Sequence, residues 1–467
     1  MRKIQLFKPA RKRAIIIGME VCYDSSLSDF GAAYSGPWCG DKLRVTDTTH
    51  KSQKVLLDFD LEGRLLGIEL RHGEYANEIK IMERNYNGDF YIYFENLRNL
   101  SPGNKLARPF DYWNQDVCID PAIAKALVDE LEQFMKAIVK YEVEKGRFRI
   151  PPWRPEGDWI SDEKPENIAD LLEKAKRFNW ESSQQNEPYT RAYPTPITVL
   201  PPEVRPDQNP VFSVIQLTQG CRLKDERGPC SFCGSYKGIQ YREKTLDELS
   251  DHIAKVKDFT GEGWKYVRKI FLADADPLNT RTPTEAYLEF LRNQIPKISH
   301  FESFASTVAI LSKTEQEWAR LKELGLNMLY WGVESADDQT LRMLHKPHTQ
   351  EMLYKAGERL KQVGINYAII LLAGVGTLDP HMGEGDVRDN SHVRATSELM
   401  SFLNPPMVYV SNLSILPGTR LYQRAQLGDI RPLSQPEVSL QNGEIRTKTP
   451  FFCKTRGQYG MQFITRT

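Results

Sequence analysis

The chain has 467 residues, and its 62 Lys and Arg residues balance its 62 Asp and Glu residues. This length predicts two or three domains, and a net charge near zero counts against extensive nucleic-acid binding. No run of about 18 apolar residues occurs, so we expect no membrane-spanning segment, and the apolar stretch near the N-terminus is too short for a signal peptide. Seven cysteines, three of them clustered, fit a reducing compartment, and we expect a cytoplasmic protein.

Residues 1–148 are predicted to form an N-terminal α+β domain. Two apolar runs flank Glu62-Gly63 within residues 54–70, which indicates a hairpin. Residues 87–97 alternate between apolar and polar as a strand does. Residues 121–146 have helical periodicity between an early proline and a final glycine.

The rest of the chain divides into three predicted parts. Residues 149–210 are rich in proline and are predicted to be a linker or an extended wrap, with one helix near 166–178. Residues 211–437 alternate six strand-like runs with helical patterns, which predicts an α/β fold with a parallel sheet covered by helices. Because a closed barrel needs eight units, we expect a partial (β/α)6 barrel. Residues 438–467 are predicted to be a C-terminal tail.

Three cysteines follow the first predicted strand of the barrel with the spacing C-x8-C-x2-C, at Cys221, Cys230 and Cys233. A [4Fe–4S] cluster normally takes four thiolates, so three would leave one iron open to bind a small molecule. The loop that carries the cysteines leaves the carboxyl end of its strand, where barrels of this kind place their active sites. A zinc site, which usually has four ligands, and three unreactive thiols are the alternatives. The spacing favours the cluster.

Several later motifs accompany the cysteines in a fixed order. FLADADPLN (271–279) ends the second predicted strand, WGVES (331–335) the fourth and LLAGVG (371–376) the fifth. An Asn-Pro step and a PGT turn flank the sixth strand within residues 392–437. Together with the cysteines, these motifs resemble the radical SAM superfamily, in the branch related to the elongator catalytic subunit and oxygen-independent coproporphyrinogen oxidase. Residues 54–70 separately resemble a small β-rich domain of unknown function.

The resemblance implies a [4Fe–4S] cluster held by Cys221, Cys230 and Cys233, with S-adenosylmethionine (SAM) on the open iron. It implies an enzyme that cleaves SAM reductively to a 5′-deoxyadenosyl radical, which removes hydrogen from an unidentified substrate. A one-electron donor of the flavodoxin or ferredoxin type would be a partner. The alternatives are a carrier or chaperone that binds SAM and the cluster without radical turnover, and an RNA-modifying protein, which the neutral charge disfavours.

Two acidic motifs are candidates for SAM binding. The segment Asp274-Ala275-Asp276 stands where the superfamily has the Gly-Gly-Glu that contacts the SAM amino group, and Asp276 is the favoured contact. For Asp274, the alternative is an N-cap on the next helix. Glu334 and Ser335 match a segment whose acid commonly reaches the SAM ribose, and a carboxylate that ends an apolar strand is costly to bury unless it is paired.

Three further residues match cofactor-binding positions of the superfamily. Lys346 falls where a basic residue binds the SAM carboxylate, with Arg342 as a competing candidate and a solvated charge as the alternative. Gly374 matches the glycine that lets the backbone approach adenosine, or it simply ends the strand in a turn. Phe232 matches an aromatic residue that packs near the cluster and the adenine.

A long polar loop, residues 377–392, follows the fifth predicted strand on the expected active-site face. Its candidate substrate contacts, with a solvated loop as the alternative, are Asp379, His381, Glu384 and Asp386. Cys453 is a further candidate, as a hydrogen-atom donor. Cys22, Cys39 and Cys118 are scattered, and we expect them to be unreactive.

Overall fold

The computed structural model describes part of the chain. The described residues are the strands between 31 and 118 given below, with 174, 191–193, 200, 212–223, 230–234, 236, 239–375, 387–413, 415–449 and 454–457. The helix predicted over 121–146 lies outside these residues, and of the helix predicted near 166–178 only residue 174 is described, as helical.

The described residues fall into two compact units. The first unit comprises residues 1–189 together with 260–266, and the second comprises 190–259 together with 267–467. Within the described residues, no helix is long and apolar enough to cross a membrane. The predicted boundaries at 148, 210 and 437 stay predictions.

In the first unit, the described strands form one antiparallel sheet in which neighbours in sequence are neighbours in space. The strands are β1 (Gly31–Ser35), β2 (Lys42–His50), β3 (Gln53–Phe59), β4 (Leu65–His72), β5 (Asn77–Arg84), β6 (Phe90–Phe94) and β7 (Asn114–Cys118). The predicted hairpin around Glu62-Gly63 is confirmed, because β3 pairs antiparallel with β4 and Leu57 lies opposite Ile68.

In the second unit, a parallel sheet carries the fold. Its strands are β8 (Phe212–Gln216), β11 (Lys269–Ala273), β12 (His300–Ala305), β13 (Leu326–Glu334), β14 (Asn366–Ala373), β15 (Met407–Asn412) and β16 (Lys454–Gly457). They lie side by side in this order, with β8 and β16 at the open edges. A short antiparallel ribbon, β9 (Thr218–Gln219) with β10 (Arg242–Glu243), stands beyond the end of β8. The predicted α/β fold and partial barrel are confirmed, with one more strand than the six predicted.

Helices connect the strands of the parallel sheet. They are α1 (Leu246–Thr260), α2 (Thr284–Gln294), α3 (Thr307–Ser312), α4 (Glu315–Glu323), α5 (Asp338–Met343), α6 (Gln350–Val363), α7 (Ser391–Leu403), α8 (Arg420–Gln426) and α9 (Gln435–Lys448). Local sequence marks several ends: Thr314 and Glu317 form a capping box at α4, and Gly364 ends α6 in the left-handed conformation with φ of 66°. Sequence periodicity predicts the helices α1, α2, α4, α6 and α7 and misses α3, α5, α8 and α9.

The tail predicted for residues 438–467 contains ordered elements of the sheet unit. Helix α9 begins with a capping box formed by Ser434 and Glu437, and strand β16 pairs parallel with β15. Sequence periodicity misses both elements, because α9 has no clear apolar stripe and Lys454–Gly457 has no apolar alternation. Cys453, which directly precedes β16, lies outside the described residues.

The two faces of the parallel sheet bury different residues. On one face, Trp331 donates from its indole N–H to Thr307 Oγ1 of helix α3 over 3.0 Å. On the other face, Tyr330 and Tyr409 have ring centroids 6.2 Å apart although β14 lies between their strands. Flat strands two apart would separate the rings by about 9.5 Å, so the sheet is concave on this face. The concave face is the interior of the partial barrel.

Candidate functional site

The cysteines lie in a loop, here called the cysteine loop (residues 220–241), that leaves the carboxyl end of β8 and returns through β10. Its base is closed by the ribbon, in which Gln219 pairs with Arg242. Gly220 has φ of +71°, and a Cβ there would come within 3.2 Å of Ile239 on the returning segment. Both facts require glycine directly before Cys221. The loop therefore starts and ends at one fixed point beside the sheet.

The three thiols of the loop interact electrostatically. Burial is the main cause that raises the pKa of Cys221 to about 12, and the nearby Cys230, Asp276 and Cys233 contribute to the same rise. Burial also raises the pKa of Cys230, whereas the neighbouring Lys346 lowers it. Because thiolates repel one another, three of them in a buried loop require a cation to hold them.

The second half of the cysteine loop is fixed to helices α5 and α8. Ser231 donates its backbone N–H to Leu344 O over 2.9 Å and its hydroxyl to Met343 O over 3.0 Å. The backbone N–H of Leu421 donates to Ser231 O over 2.8 Å. Phe232 packs in an apolar cluster that includes Leu344 and Leu421. The structure therefore gives Phe232 a packing role, while its contact with adenine stays a prediction.

Glu334 and Lys346 form a buried ion pair at the end of β13. The Lys346 Nζ lies 3.5 Å from Glu334 Oε1, and the two side chains are 8% and 12% exposed. Burial opposes the charge on Lys346, but Glu334, Cys230 and Cys221 raise its pKa above the ordinary value. Burial raises the pKa of Glu334, and Lys346 lowers it. The competing candidate, Arg342, is exposed, so Lys346 is the cation that the fold brings to the thiols.

Glycine at position 332 makes room for this pair. A Cβ on Gly332 would lie 3.1 Å from Glu334 Oε1 and 3.7 Å from Lys346 Nζ. Glu334 itself has φ of 65°, in the left-handed region that side chains other than glycine rarely adopt. Such backbone strain in a residue that is not glycine is most often found at functional sites.

Asp276 is tied to the end of the neighbouring strand. Its Oδ1 accepts from the Ser306 backbone N–H over 3.1 Å, and its Oδ2 accepts from the Ser306 hydroxyl over 2.6 Å. Ser306 is the N-cap of α3 and also accepts from the Ala309 backbone N–H. Burial raises the pKa of Asp276, while the bonds from Ser306 lower it. Both carboxyl oxygens are thus engaged by protein donors.

Asp274 is buried beside the cysteine loop. Its Oδ1 accepts from the Tyr236 hydroxyl over 2.8 Å, and its backbone N–H donates to Thr218 Oγ1 over 3.3 Å. The alternative role as an N-cap is wrong, because the next helix, α2, begins at Thr284 with Pro283 at the cap position. Burial raises the pKa of Asp274 to about 7.

Three other predicted positions have different surroundings. Ala275 is half-buried between the two aspartates. The Ser335 hydroxyl is hydrogen bonded to His392 Nδ1 over 2.8 Å and accepts from the Asp337 backbone N–H. Gly374 has φ of +94° and donates its N–H to Gln441 Oε1 over 2.6 Å. Packing accounts for the glycine at 374, and contacts of these residues with SAM stay predictions.

The candidate substrate contacts lie outside the described residues. They are Asp379, His381, Glu384 and Asp386, and the candidate hydrogen-atom donor Cys453 is also among the residues that are not described.

Sequence reasoning missed three residues that shape the site: Tyr236, Ser306 and Gln441. Ser306 was detectable, because a serine directly after a strand and three residues before an alanine of a short helix is a typical N-cap. Tyr236 and Gln441 had no local signal, since their partners are 38 and 67 residues away in the chain.

The donor set of the cysteine loop fits an iron–sulfur cluster with three protein ligands. Three thiols lie close enough to interact, a lysine that favours the ionised form of Cys230 lies beside them, and the loop is anchored at both ends. Each of the three would bind a different iron of such a cluster. Among the described residues, no group of three or more His, Cys, Asp and Glu side chains converges on a single ion.

Comparisons with known proteins relate one part of the chain to a protein family. Residues 215–383 match the model of the Radical SAM superfamily. No curated protein matches the chain.

Solved structures that resemble the chain include three radical SAM and related proteins. The coproporphyrinogen III oxidase HemN of Escherichia coli, a radical SAM enzyme, is 15% identical over 56% of this chain and 54% of its own, with a TM-score of 0.38. The radical SAM methyltransferase TsrM of Kitasatospora setae, solved with cobalamin and a [4Fe–4S] cluster, is 15% identical over 48% of this chain and 41% of its own, with a TM-score of 0.35. Elp3 of the archaeon Methanocaldococcus infernus is 15% identical over 44% of this chain and 50% of its own, with a TM-score of 0.33.

The chain spans about half the length of each of these three solved structures. The residues that match the family model, 215–383, include the whole cysteine loop. About a third of the chain is therefore similar to the Radical SAM superfamily.

Proposed function

We propose that this protein cleaves SAM reductively at a [4Fe–4S] cluster and directs the resulting 5′-deoxyadenosyl radical to remove hydrogen from a substrate. The observation that carries the proposal is the placement of Cys221, Cys230 and Cys233. In a domain of the radical SAM superfamily, the fold brings these three thiols together at the carboxyl end of the first parallel strand.

The residues of the chain have distinct roles in this proposal. The three cysteines would hold three irons as thiolates, and a cluster bound there would supply the electron that cleaves SAM. Lys346 lies beside the thiols and Glu334, so it stabilises their negative charge and is placed to bind a carboxylate. Glu334 holds Lys346 in position until a ligand arrives.

The remaining predicted contacts follow from the motifs. Asp276 lies near Lys346 and would meet the SAM amino group, and Gly374 would lie near adenosine. The interior of the partial barrel below them is lined by aromatic rings, among them Phe271, Phe304 and Tyr330. These rings limit the water next to the thiols, which protects a reactive radical. The Tyr330 hydroxyl donates to the buried Glu302 carboxyl group among them.

Enzymes of this superfamily require a reductant. For this protein we propose a one-electron donor of the flavodoxin or ferredoxin type.

The experiment that tests the function is anaerobic reconstitution with iron and sulfide, followed by reduction with dithionite and measurement of 5′-deoxyadenosine by mass spectrometry. We expect wild-type protein to form 5′-deoxyadenosine and Cys230→Ala to form none. Cys118→Ala, which removes a thiol from strand β7 of the other unit, is the matched control and should retain the activity.

Other results would replace the proposal. A reconstituted four-iron cluster without SAM cleavage, even with added cell extract as a source of substrate, would favour the carrier or chaperone. Zinc instead of iron would contradict the cluster. Salt-sensitive binding of tRNA would favour the RNA-modifying alternative.

A further inference from the structure

Asp274 contacts both ends of the cysteine loop through one carboxyl group. The Tyr236 hydroxyl, three residues after Cys233, donates to its Oδ1 over 2.8 Å. The backbone N–H of Gly220, directly before Cys221, is directed at the same carboxyl group. The residue that precedes the three cysteines and a residue that follows them therefore share one acceptor.

The backbone around Asp274 strengthens this connection. The Asp274 N–H donates to Thr218 Oγ1, and the Leu217 N–H donates to Ala273 O over 2.7 Å. These bonds join the end of β11 to the segment that leads into the cysteine loop. The start of the loop is therefore fixed to the end of β11 by backbone bonds in addition to the carboxyl group.

Stability alone does not explain an acid at this position. Asp274 is 2% exposed, and its Oδ2 has no hydrogen-bond partner among the described residues. A buried carboxyl oxygen without a donor opposes folding, so a small apolar residue at this position would favour stability more. Local features that oppose stability tend to mark functional positions.

The contrast with Asp276 separates two roles. Asp276 is satisfied at both oxygens by Ser306, which joins β11 to helix α3 and not to the cysteine loop. Asp274, two residues earlier, makes its side-chain bonds only to loop residues among the described part of the chain.

We propose that Asp274 is a positioning residue for the iron–sulfur cluster: with Tyr236, it sets the spacing between the two ends of the cysteine loop so that the three thiolates fit one cluster. This inference rests on the proposed function, because it requires that the loop bind a cluster. Residues that orient metal ligands from outside the coordination sphere typically change metal affinity or activity about 10- to 100-fold when they are replaced.

The test compares Asp274→Ala, Asp274→Asn, Tyr236→Phe and the double variant Asp274→Ala/Tyr236→Phe in the full chain. Each protein is reconstituted anaerobically, and the rate at which a ferrous chelator removes iron is measured with the electron paramagnetic resonance spectrum of the reduced cluster. Thermal unfolding of each apoprotein measures the effect on folding. Tyr367→Phe, which removes a buried hydroxyl bonded to Leu403 O, is the matched control.

We expect Asp274→Ala and Tyr236→Phe each to lose iron about tenfold faster than wild type, with an altered spectrum. The double variant should lose iron no faster than Asp274→Ala alone, because both changes break one interaction. Asp274→Asn, whose amide oxygen accepts the same bond from Tyr236, should behave close to wild type, as should Tyr367→Phe.

Two results would overturn the inference. One is wild-type iron retention and spectra in Asp274→Ala and Tyr236→Phe. The other is faster iron loss that also occurs in Tyr367→Phe and follows the unfolding midpoint of the apoprotein, which would indicate general loosening of the fold. Failure of the wild type itself to hold a four-iron cluster is a different result, because it would contradict the proposed function and remove this inference with it.

Discussion

Two parallel strands, β11 and β13, both end in buried carboxyl groups near the thiols. The free-energy cost of burying these groups is offset in different ways at the two ends. At the end of β11, Asp274 and Asp276 accept hydrogen bonds from Tyr236 and Ser306, which are uncharged donors of the protein framework. At the end of β13, Glu334 is paired with the charged Lys346.

The two strand ends therefore have different roles. Hydrogen bonds from neutral groups fix one element of the fold to another. In an ion pair, by contrast, a charged ligand can replace one of the two partners or bind beside them. The end of β11 therefore holds the loop and helix α3 in place, and the end of β13 presents charge beside the thiols. Four substitutions test this comparison, from the largest expected effect to the smallest.

Lys346→Met should have the largest effect, because it leaves Glu334 buried without its cation. Breaking a buried ion pair from one side costs about 3–5 kcal/mol, and we expect the free energy of unfolding of the apoprotein to fall by about that amount. Denaturant unfolding at neutral pH measures it. Lys355→Met, which breaks an exposed pair with Glu351, is the control and should remain close to wild type.

The same experiment distinguishes the ion pair from packing. The double variant Lys346→Met/Glu334→Gln should recover much of the lost free energy, because it removes the uncompensated carboxylate as well. A double variant as unstable as Lys346→Met would show that the lysine stem, and not its charge, supports the end of β13.

Asp274→Asn should change how stability depends on pH. The pKa of Asp274 in the folded protein is raised to about 7, whereas the carboxyl group of an unfolded chain has a pKa of about 4. The folded state therefore binds a proton that the unfolded state releases, so wild-type stability relative to Asp274→Asn falls as pH rises from about 4 to 7. The expected fall is of the order of 3 kcal/mol, measured by denaturant unfolding of both proteins across this range.

A constant difference between the two proteins over this range would show that the carboxyl group has an ordinary pKa. In that case Asp274 would be ionised at neutral pH. Both strand ends would then bury a charged carboxylate, which would contradict the difference between them.

Ser306→Ala should have a smaller effect on the β11 side. It removes the N-cap of α3 and one of the two donors to Asp276, and we expect a loss of about 2 kcal/mol in the free energy of unfolding. Ser306→Thr keeps the hydroxyl and should lose less. An equal loss in both variants would assign the effect to packing around the serine.

Arg342→Ala should have the smallest effect. Arg342 is exposed on α5, four residues before Lys346, and no partner of it is described within the structure. We expect an unfolding midpoint indistinguishable from wild type by circular dichroism. A clear decrease would place Arg342 in the electrostatic network at the end of β13.

Much of the parallel sheet could be predicted from sequence, because its strands are nearly continuous apolar runs and its long helices have apolar stripes. The run MVYVSNLSI, for example, contains β15 (Met407–Asn412). Short or weakly amphipathic elements could not be predicted: α5 has only six residues, and Lys454–Gly457 is a strand through its pairing with β15 alone.

The candidate site also contains residues that sequence predicts and contacts that it does not. The three cysteines, Glu334 and Lys346 are visible in the sequence because their chemistry stands out in motifs of known order. The bond between Tyr236 and Asp274 is not visible, because it joins residues 38 positions apart and depends on the cysteine loop folding back to the sheet. The reactive side chains can thus be recognised from local sequence motifs, whereas the contacts that position them are tertiary and cannot.

Strand β16 has a consequence for the solubility of shortened proteins. Its backbone pairs with Met407–Val410 and so covers the open side of β15. A chain that stops before Lys454 would leave that row of backbone N–H and C=O groups exposed beside a largely apolar strand, which is a template for pairing between molecules. Such a chain is expected to aggregate even if every residue of the cysteine loop is retained.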